Sequence, residues 1–429
     1  MLTLYLFITL IALLVINVPV VVAIGLTSVI FFVFLGDGML LAMLPNRMYY
    51  GTTGFTLLAI PFFIFAGNLM NIGGITGRIF RFAKALVGHI PGGLGQVNVL
   101  ASVIFSGMSG SAVADAAGLG QIEHKAMVDD GFDPAVSATL VAASSIIGPV
   151  IPPSIPFVLF GAITSVSVAR LFMAGFVPGL ILSAFIMISL AVIAKRKGYP
   201  QSPHRAAFRE IWGAFIGAFW PLLAPVIIIG GIMTGFFTPT EASVVVCLYA
   251  IILGFCYREL HFADLPAIIW QSVKQSSCLL FIMAAANFFG WLVIRQKMPD
   301  AIIETLVQFG ASQSAVLWII IAIVLVMGCF LEGNAIFLIT LPIFIPICNM
   351  FNINLINFGV VMTLLIMIGN LTPPVGMCLF AVDSFAKVGI PALTKQVWPY
   401  LIATFLVTLL IAFVPQISLW LPNLLMGGV

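Results

Sequence analysis

The chain has 429 residues, of which 62% are hydrophobic and 7% charged, with a formal net charge of +3. A soluble domain carries roughly 25% charged residues, so this composition excludes a water-facing surface and places most of the exterior in lipid. The small positive charge is spread over loops and gives no footprint for nucleic acid.

The first apolar stretch, about 2–17, lacks a basic leader and a small-residue cleavage site, so it is expected to be a retained helix rather than a signal peptide. Four more spans follow in the first half, at about 19–35, 54–72, 134–163 and 176–195. In the second half the spans fall at about 213–236, 240–256, 275–293, 357–386 and 398–420. None alternates apolar and polar residues as a membrane barrel strand does, and several approach or exceed the ~20 residues that cross a bilayer as a helix. Two further apolar stretches, about 94–120 and 314–349, are interrupted at mid-length by polar, glycine-bearing segments and are read as re-entrant hairpins. Short amphipathic segments, Gly77–Val87 and Phe262–Trp270, are expected to be interfacial helices.

The two halves repeat. Ile147-Gly148-Pro149-Val150-Ile151-Pro152-Pro153 matches Ile368-Gly369-Asn370-Leu371-Thr372-Pro373-Pro374 at an offset of 221. Pro178 meets Pro399 at the same offset, Pro19 meets Pro239 at 220 and Asn68 meets Asn287 at 219. A nearly constant offset along the whole chain marks an internal repeat. Residues 1–210 and 211–429 are therefore read as two copies, each with five spans and one hairpin. Five crossings is an odd number, so the second copy is inverted.

Charge orients the chain. Lys195, Arg196, Lys197, Arg205 and Arg209 form the most basic loop, which is expected in the cytoplasm. Counting back five crossings puts the N-terminus outside, and the full count puts the C-terminus outside too. Arg78, Arg81, Lys84, Lys125, Arg258, Lys274, Lys387 and Lys395 then also fall inside, leaving four of the 17 basic residues, Arg47, Arg170, Arg295 and Lys297, outside.

No soluble-enzyme constellation is present. His89, His124, His204 and His261 have no paired-ligand spacing, no phosphate-binding loop of the GxxxxGK[ST] type occurs, and the six cysteines form no CxxC pair. Gly107-Met108-Ser109-Gly110-Ser111 matches a nucleophile elbow only loosely. The chemistry lies in the breaks. The hairpin tips read Ser106-Gly107-Met108-Ser109-Gly110-Ser111, followed by Asp115, and Glu332-Gly333-Asn334. The broken spans are centred on Pro152-Pro153 and Pro373-Pro374. Proline has no amide hydrogen and disfavours helix in the residue before it, so each pair frees carbonyls at membrane depth, which is tolerable only inside protein or along a cavity. Free carbonyls and short hydroxyls are hard oxygen ligands suited to Na+, and half-helix N-termini attract anions. Inverted repeats bring such elements together near the midplane. The first set offers Ser106, Gly110, Ser145, Gly148 and Ile151 as Na+ ligands, and the second offers Glu332, Gly333, Asn334, Gly369 and Thr372. The same glycines and prolines also permit close helix packing. Asp115 either supports its hairpin or shapes the site, and Glu332 either ligates an ion or caps a half-helix. Arg295 has Thr76 as its repeat partner and either grips a carboxylate or snorkels to the interface.

Ile60-Pro61-Phe62-Phe63-Ile64-Phe65-Ala66-Gly67, Phe105 through Asp115, Ile151-Pro152-Pro153-Ser154, Thr238-Pro239-Thr240-Glu241-Ala242 and Thr372-Pro373-Pro374 together resemble the large M subunit of tripartite ATP-independent periplasmic (TRAP) transporters, over essentially the full chain. The resemblance implies an all-α integral membrane protein of the bacterial inner membrane, with an elevator-type ion-transporter fold and no enzymatic activity. It implies a mobile domain of hairpins and broken helices on a scaffold, sodium coupling, a small four-helix Q subunit and a periplasmic substrate-binding protein. No Q-like extension is seen, so Q is expected either as a separate chain or as a piece cut away from this one. The implied substrate is an organic acid. Ser109, Ser111, Asp115 and Arg295, with Pro153 and Ser154, stand where the sialic-acid branch places its substrate site; a dicarboxylate or a proton-coupled carrier is the alternative.

Overall fold

A computed structural model describes residues 2–16, 18–34, 38–72, 74–202 and 204–427, with backbone alone at 2–4, 15, 38–40, 72 and 107–109. The described residues are helical and include no strand. In the first half, α1 (Leu2–Val15), α2 (Val20–Phe34), α3 (Leu44–Tyr50) and α4 (Ala59–Ile72) precede an amphipathic α5 (Ile75–Val87). The hairpin follows as α6 (Gly93–Ser109), α7 (Ala112–Ala117) and α8 (Leu119–Asp129). The broken span is α9 (Pro134–Ser145) and α10 (Ile155–Thr164), and α11 (Val168–Lys197) closes the half. The second half runs α12 (Phe208–Met233), α13 (Pro239–Cys256), α14 (Leu265–Arg295) and α15 (Met298–Gln308). Its hairpin is α16 (Gln313–Gly328) and α17 (Gly333–Met350), its broken span α18 (Leu355–Leu371) and α19 (Met377–Ala386), and α20 (Ile390–Phe413) and α21 (Gln416–Met426) follow.

The helix caps fall at matching places in the two halves. Asp133 accepts from the amides of Ala135 and Val136 at the start of α9, and Asn354 accepts from Ile356 and Asn357 at the start of α18. Ser111 caps α7 through the Ala114 amide, and Glu332 caps α17 through Ala335. Each cap satisfies amides that the first helical turn leaves without partners. Thr238 and Glu241 form a reciprocal capping box at α13, with Pro239 in the first turn.

Packing crosses the halves in the same symmetric way. Helix α4 lies on α13 while α14 lies on α2. Half-helix α10 packs on α17 and α18, and α19 on α7, α8 and α9. Phe160 of α10 stacks edge-on against Phe337 of α17 with ring centres 6.0 Å apart and tilts against Phe358 of α18 at 6.3 Å. Of the broken spans, α9, α10 and α18 are largely buried and α19 is half-exposed, whereas α11 and α12 keep Ile188, Val192, Ile216, Trp220 and Val226 exposed. Those apolar faces suit lipid.

Among the described residues, six helices are long and apolar enough to cross a membrane, and the bent pair 41–50 and 55–71 makes a seventh. The two broken spans are built of shorter helices that meet end to end. Several expected boundaries move. Helix α11 begins at Val168 and α14 at Leu265, so Phe262–Trp270 is no separate interfacial helix but mostly the first turns of a 31-residue helix. Its polar Ser272 and Ser276 are buried against neighbours, which hydropathy does not register. The first hairpin extends beyond 120 to Asp129, because the polar Glu123 turns inward. The last span ends at Phe413, before Pro415, and α21 is distinct.

Candidate functional site

Each hairpin tip lies on its own broken helix, at distances only glycine permits. Gly110, at φ +62, ends α6, and a Cβ there would lie 2.8 Å from the Pro153 carbonyl oxygen and 3.2 Å from the Ile155 amide nitrogen. In the second half Gly328 and Gly369 meet backbone to backbone, and a Cβ on Gly328 would lie 2.9 Å from the Gly369 Cα. Gly333 lies against Ile366, near Asn370 Oδ1.

From the opposite side α11 clamps the first break. A Cβ on Gly175 would collide with the Val150 carbonyl oxygen, and one on Gly179 would collide with Ile151 Cγ1. This small-xxx-small spacing lets backbones approach, so the unwound segment 146–154 is held between a helix and a hairpin. Ser154 begins α10: its hydroxyl donates to the Pro149 carbonyl and accepts from the Phe157 amide at 3.3 Å. Pro152-Pro153 and Pro373-Pro374 are both cis.

Asp115 is buried on α7, and its carboxylate reaches the break: a Cβ on Gly148 would lie 2.5 Å from Asp115 Oδ2. The contacts thus bring Gly110, Ser111, Asp115, Gly148, Pro153 and Ser154 into one neighbourhood. The backbone of Ser109 ends α6 there, and its side chain lies outside the described residues. Ser145 stands at the end of α9. Ile151 is buried under Gly179.

The hydroxyls fit a hard cation. Ser106 donates to the Val103 carbonyl at 2.5 Å, Ser145 to Ala142 at 2.8 Å and Thr372 to Ile368 at 2.7 Å. Each proton is thereby spent on a preceding turn, which leaves oxygen lone pairs to face an ion. Glu332 behaves as a cap: one carboxylate oxygen accepts from the Ala335 amide at 3.1 Å and the other from Asn334 Nδ2 at 2.6 Å.

Arg295 ends α14, exposed, with its guanidinium 5.7 Å from the centre of the Trp291 ring. Arg47 stands 5.0 Å from the same ring centre. Both distances are within the reach of a cation–π contact. A cavity of about 380 Å³ opens between α14, α17 and the end of α10, and Arg47, Asn287 and Trp291 are among its lining residues. Sequence reasoning assigned Arg47 no role beyond orientation, since one arginine in a short outer loop carries no signal of its own. It also passed over Glu123, buried on α8 with its carboxylate bonded to Asn98 of α6. The repeat could have found Glu123: the second hairpin's return arm runs unbroken to Met350, and the offset of 221 carries that end back to Asp129.

Comparison with known proteins agrees with this architecture. The family described as tripartite ATP-independent periplasmic transporter, DctM component, matches residues 7–417. The sialic acid TRAP transporter permease SiaT of Haemophilus influenzae is 44% identical over 89% of this chain, which spans 62% of that protein's length. The sialic acid TRAP transporter large permease SiaM of Vibrio cholerae is 42% identical over 89% of this chain and 90% of its own. The C4-dicarboxylate TRAP transporter large permease DctM of Rhodobacter capsulatus is 37% identical over 97% of this chain and 98% of its own. Among solved structures, the YdaH transporter of Alcanivorax borkumensis has the same fold, with a TM-score of 0.64 over 90% of each chain at 14% identity. The chain therefore belongs to the DctM family of TRAP transporter large permeases, multi-pass inner-membrane transport subunits rather than enzymes.

Proposed function

We propose that this subunit imports a small organic acid, sialic acid in the first instance, by sodium-coupled alternating access. The observation that carries the reading is the pair of glycine-only contacts, Gly110 on Pro153 and Gly328 on Gly369, which join each hairpin tip to its own broken helix. We assign one oxygen-lined ion site to each joint, as a carrier with midplane ion sites requires. The first Na+ is assigned to Ser106, Gly110, Ser145, Gly148 and Ile151, and the second to Glu332, Gly333, Asn334, Gly369 and Thr372, with Glu332 also capping its half-helix.

The substrate is assigned to the first joint, beside Ser109, Ser111, Pro153 and Ser154. Asp115 reaches Gly148 there, where a bound cation would balance its charge. Arg295 supplies the counter-charge for the substrate carboxylate. In the elevator reading, α6–α10 and α16–α19 move as one body along the scaffold of α1–α4 and α12–α14. The names of the Haemophilus and Vibrio relatives favour sialic acid, and the Rhodobacter relative keeps a C4-dicarboxylate as the second reading. A small membrane subunit and a periplasmic binding protein complete the transporter, and both termini of this chain are assigned to the periplasm.

The test is uptake into proteoliposomes holding this chain and its small partner, with sialic acid and then succinate, each presented by its binding protein. Accumulation of sialic acid alone supports the first reading. Accumulation of succinate alone replaces it with the second.

A further inference from the structure

The two arms of the first hairpin are joined by a polar contact that the transport site does not use. Asn98 on α6 is fully buried and Glu123 on α8 is 2% exposed. Asn98 Nδ2 donates to Glu123 Oε2 at 2.5 Å. The second oxygen of each group, Asn98 Oδ1 and Glu123 Oε1, is buried without a hydrogen-bond partner. Both are acceptors, so they cannot satisfy each other. Turning the amide over does not help, because it would set its oxygen against Oε2 instead. A single proton on Oε1 would turn that oxygen into the donor the pair lacks.

Among the described residues no ion pair reaches Glu123. The elements packed on α8 are α6, α7, α9 and α19. Helices α6 and α9 carry no titratable side chain, α7 carries Asp115, and α19 carries Cys378 and Asp383. On α8 itself, His124 bonds Ser137 through Nδ1, Lys125 is exposed to solvent, and Asp129 is exposed at the far end. An isolated carboxylate in such a place is costly and takes up a proton instead.

We infer that Glu123 binds a proton at neutral pH and, as a neutral acid, closes a two-bond ring with Asn98 that ties the arms of the first hairpin together. The proton is a ligand of this hairpin, separate from the sodium ions proposed above. As pH rises and the proton leaves, a bare charge remains between α6 and α8 and the hairpin loosens. The symmetry of the fold does not require the pair, since the repeat partner of Glu123 is Phe344.

Infrared difference spectra decide this independently of transport. The full chain with its small partner, in lipid nanodiscs at neutral pH, is compared with a Glu123→Gln variant. Gln donates through Nε2 to Asn98 Oδ1 and accepts from Asn98 Nδ2, so it completes the same ring without a proton and is expected to melt like the parent protein. The parent protein is expected to show the carbonyl stretch of a neutral carboxylic acid, displaced in D2O, absent from the variant and fading as pH rises. No variant-sensitive acid band at neutral pH would overturn the inference. So would a band that disappears on adding sodium at constant pH, because the two oxygens would then hold a metal ion. Failure of the Gln variant to fold would contradict the claim that one ring of two hydrogen bonds accounts for the contact.

Discussion

Gly110→Ala attacks the first joint with a single methyl group. At φ +62 the residue sits in the left-handed region, where an L side chain costs roughly 1–2 kcal/mol. The new Cβ would also lie 2.8 Å from the Pro153 carbonyl oxygen, and backbone on both sides leaves no flexible end to yield. Overpacking of this kind costs about 1–3 kcal/mol. Together these amount to about 2–5 kcal/mol against the assembled joint, or roughly thirty-fold to several thousand-fold in its population. Uptake into proteoliposomes as a function of sodium concentration should show a large loss, with the half-saturating sodium concentration shifted upward, while the protein still extracts as a folded complex. Gly25→Ala on α2 is the control, since no atom lies within 4 Å of where its Cβ would stand and its φ is ordinary. Unchanged sodium dependence in Gly110→Ala would refute the claim that the joint forms the ion site.

Other perturbations test separate parts of the account. Ser154→Ala removes the cap of α10 and the bond to Pro149, and should lower stability by about 1 kcal/mol in a thermal melt. Gly179→Ala drives a Cβ into Ile151 and should destabilise the protein and weaken sodium binding together, read by melting with and without sodium. Arg295→Ala should weaken substrate binding about ten- to hundred-fold, the value of a charge-assisted hydrogen bond, with sodium binding intact. Arg295→Lys should not restore it if the grip is bidentate.

The helical breaks at the hairpin tips and at the paired prolines were legible because each rests on a strong local signal: mid-run glycines, and prolines at a constant offset. The matched caps Asp133 and Asn354, and Ser111 and Glu332, show the same repeat at the level of hydrogen bonds. Helix starts were less legible. Hydropathy averages over all faces of a helix, so the buried Ser272 of α14 counted as polar surface and the start fell ten residues late. Glu123 was hidden by the same averaging, since Gln121, His124 and Lys125 around it suggest a loop although its own side chain faces Asn98. The capping role of Glu332 needed geometry: both of its carboxylate oxygens accept hydrogen bonds at the start of α17. Which glycines were indispensable could not be read from composition either. Gly110, Gly328 and Gly369 meet backbone, whereas Gly213 and Gly217 face open space.

The most direct measurement is uptake of sialic acid into proteoliposomes containing this chain, its small membrane partner and a sialic-acid-binding protein, with an inward sodium gradient and then with potassium in its place. Accumulation against the substrate gradient, only with sodium and only with the binding protein, is the predicted result. Equal accumulation in potassium, or uptake driven by a proton gradient alone, would contradict sodium coupling at the two joints.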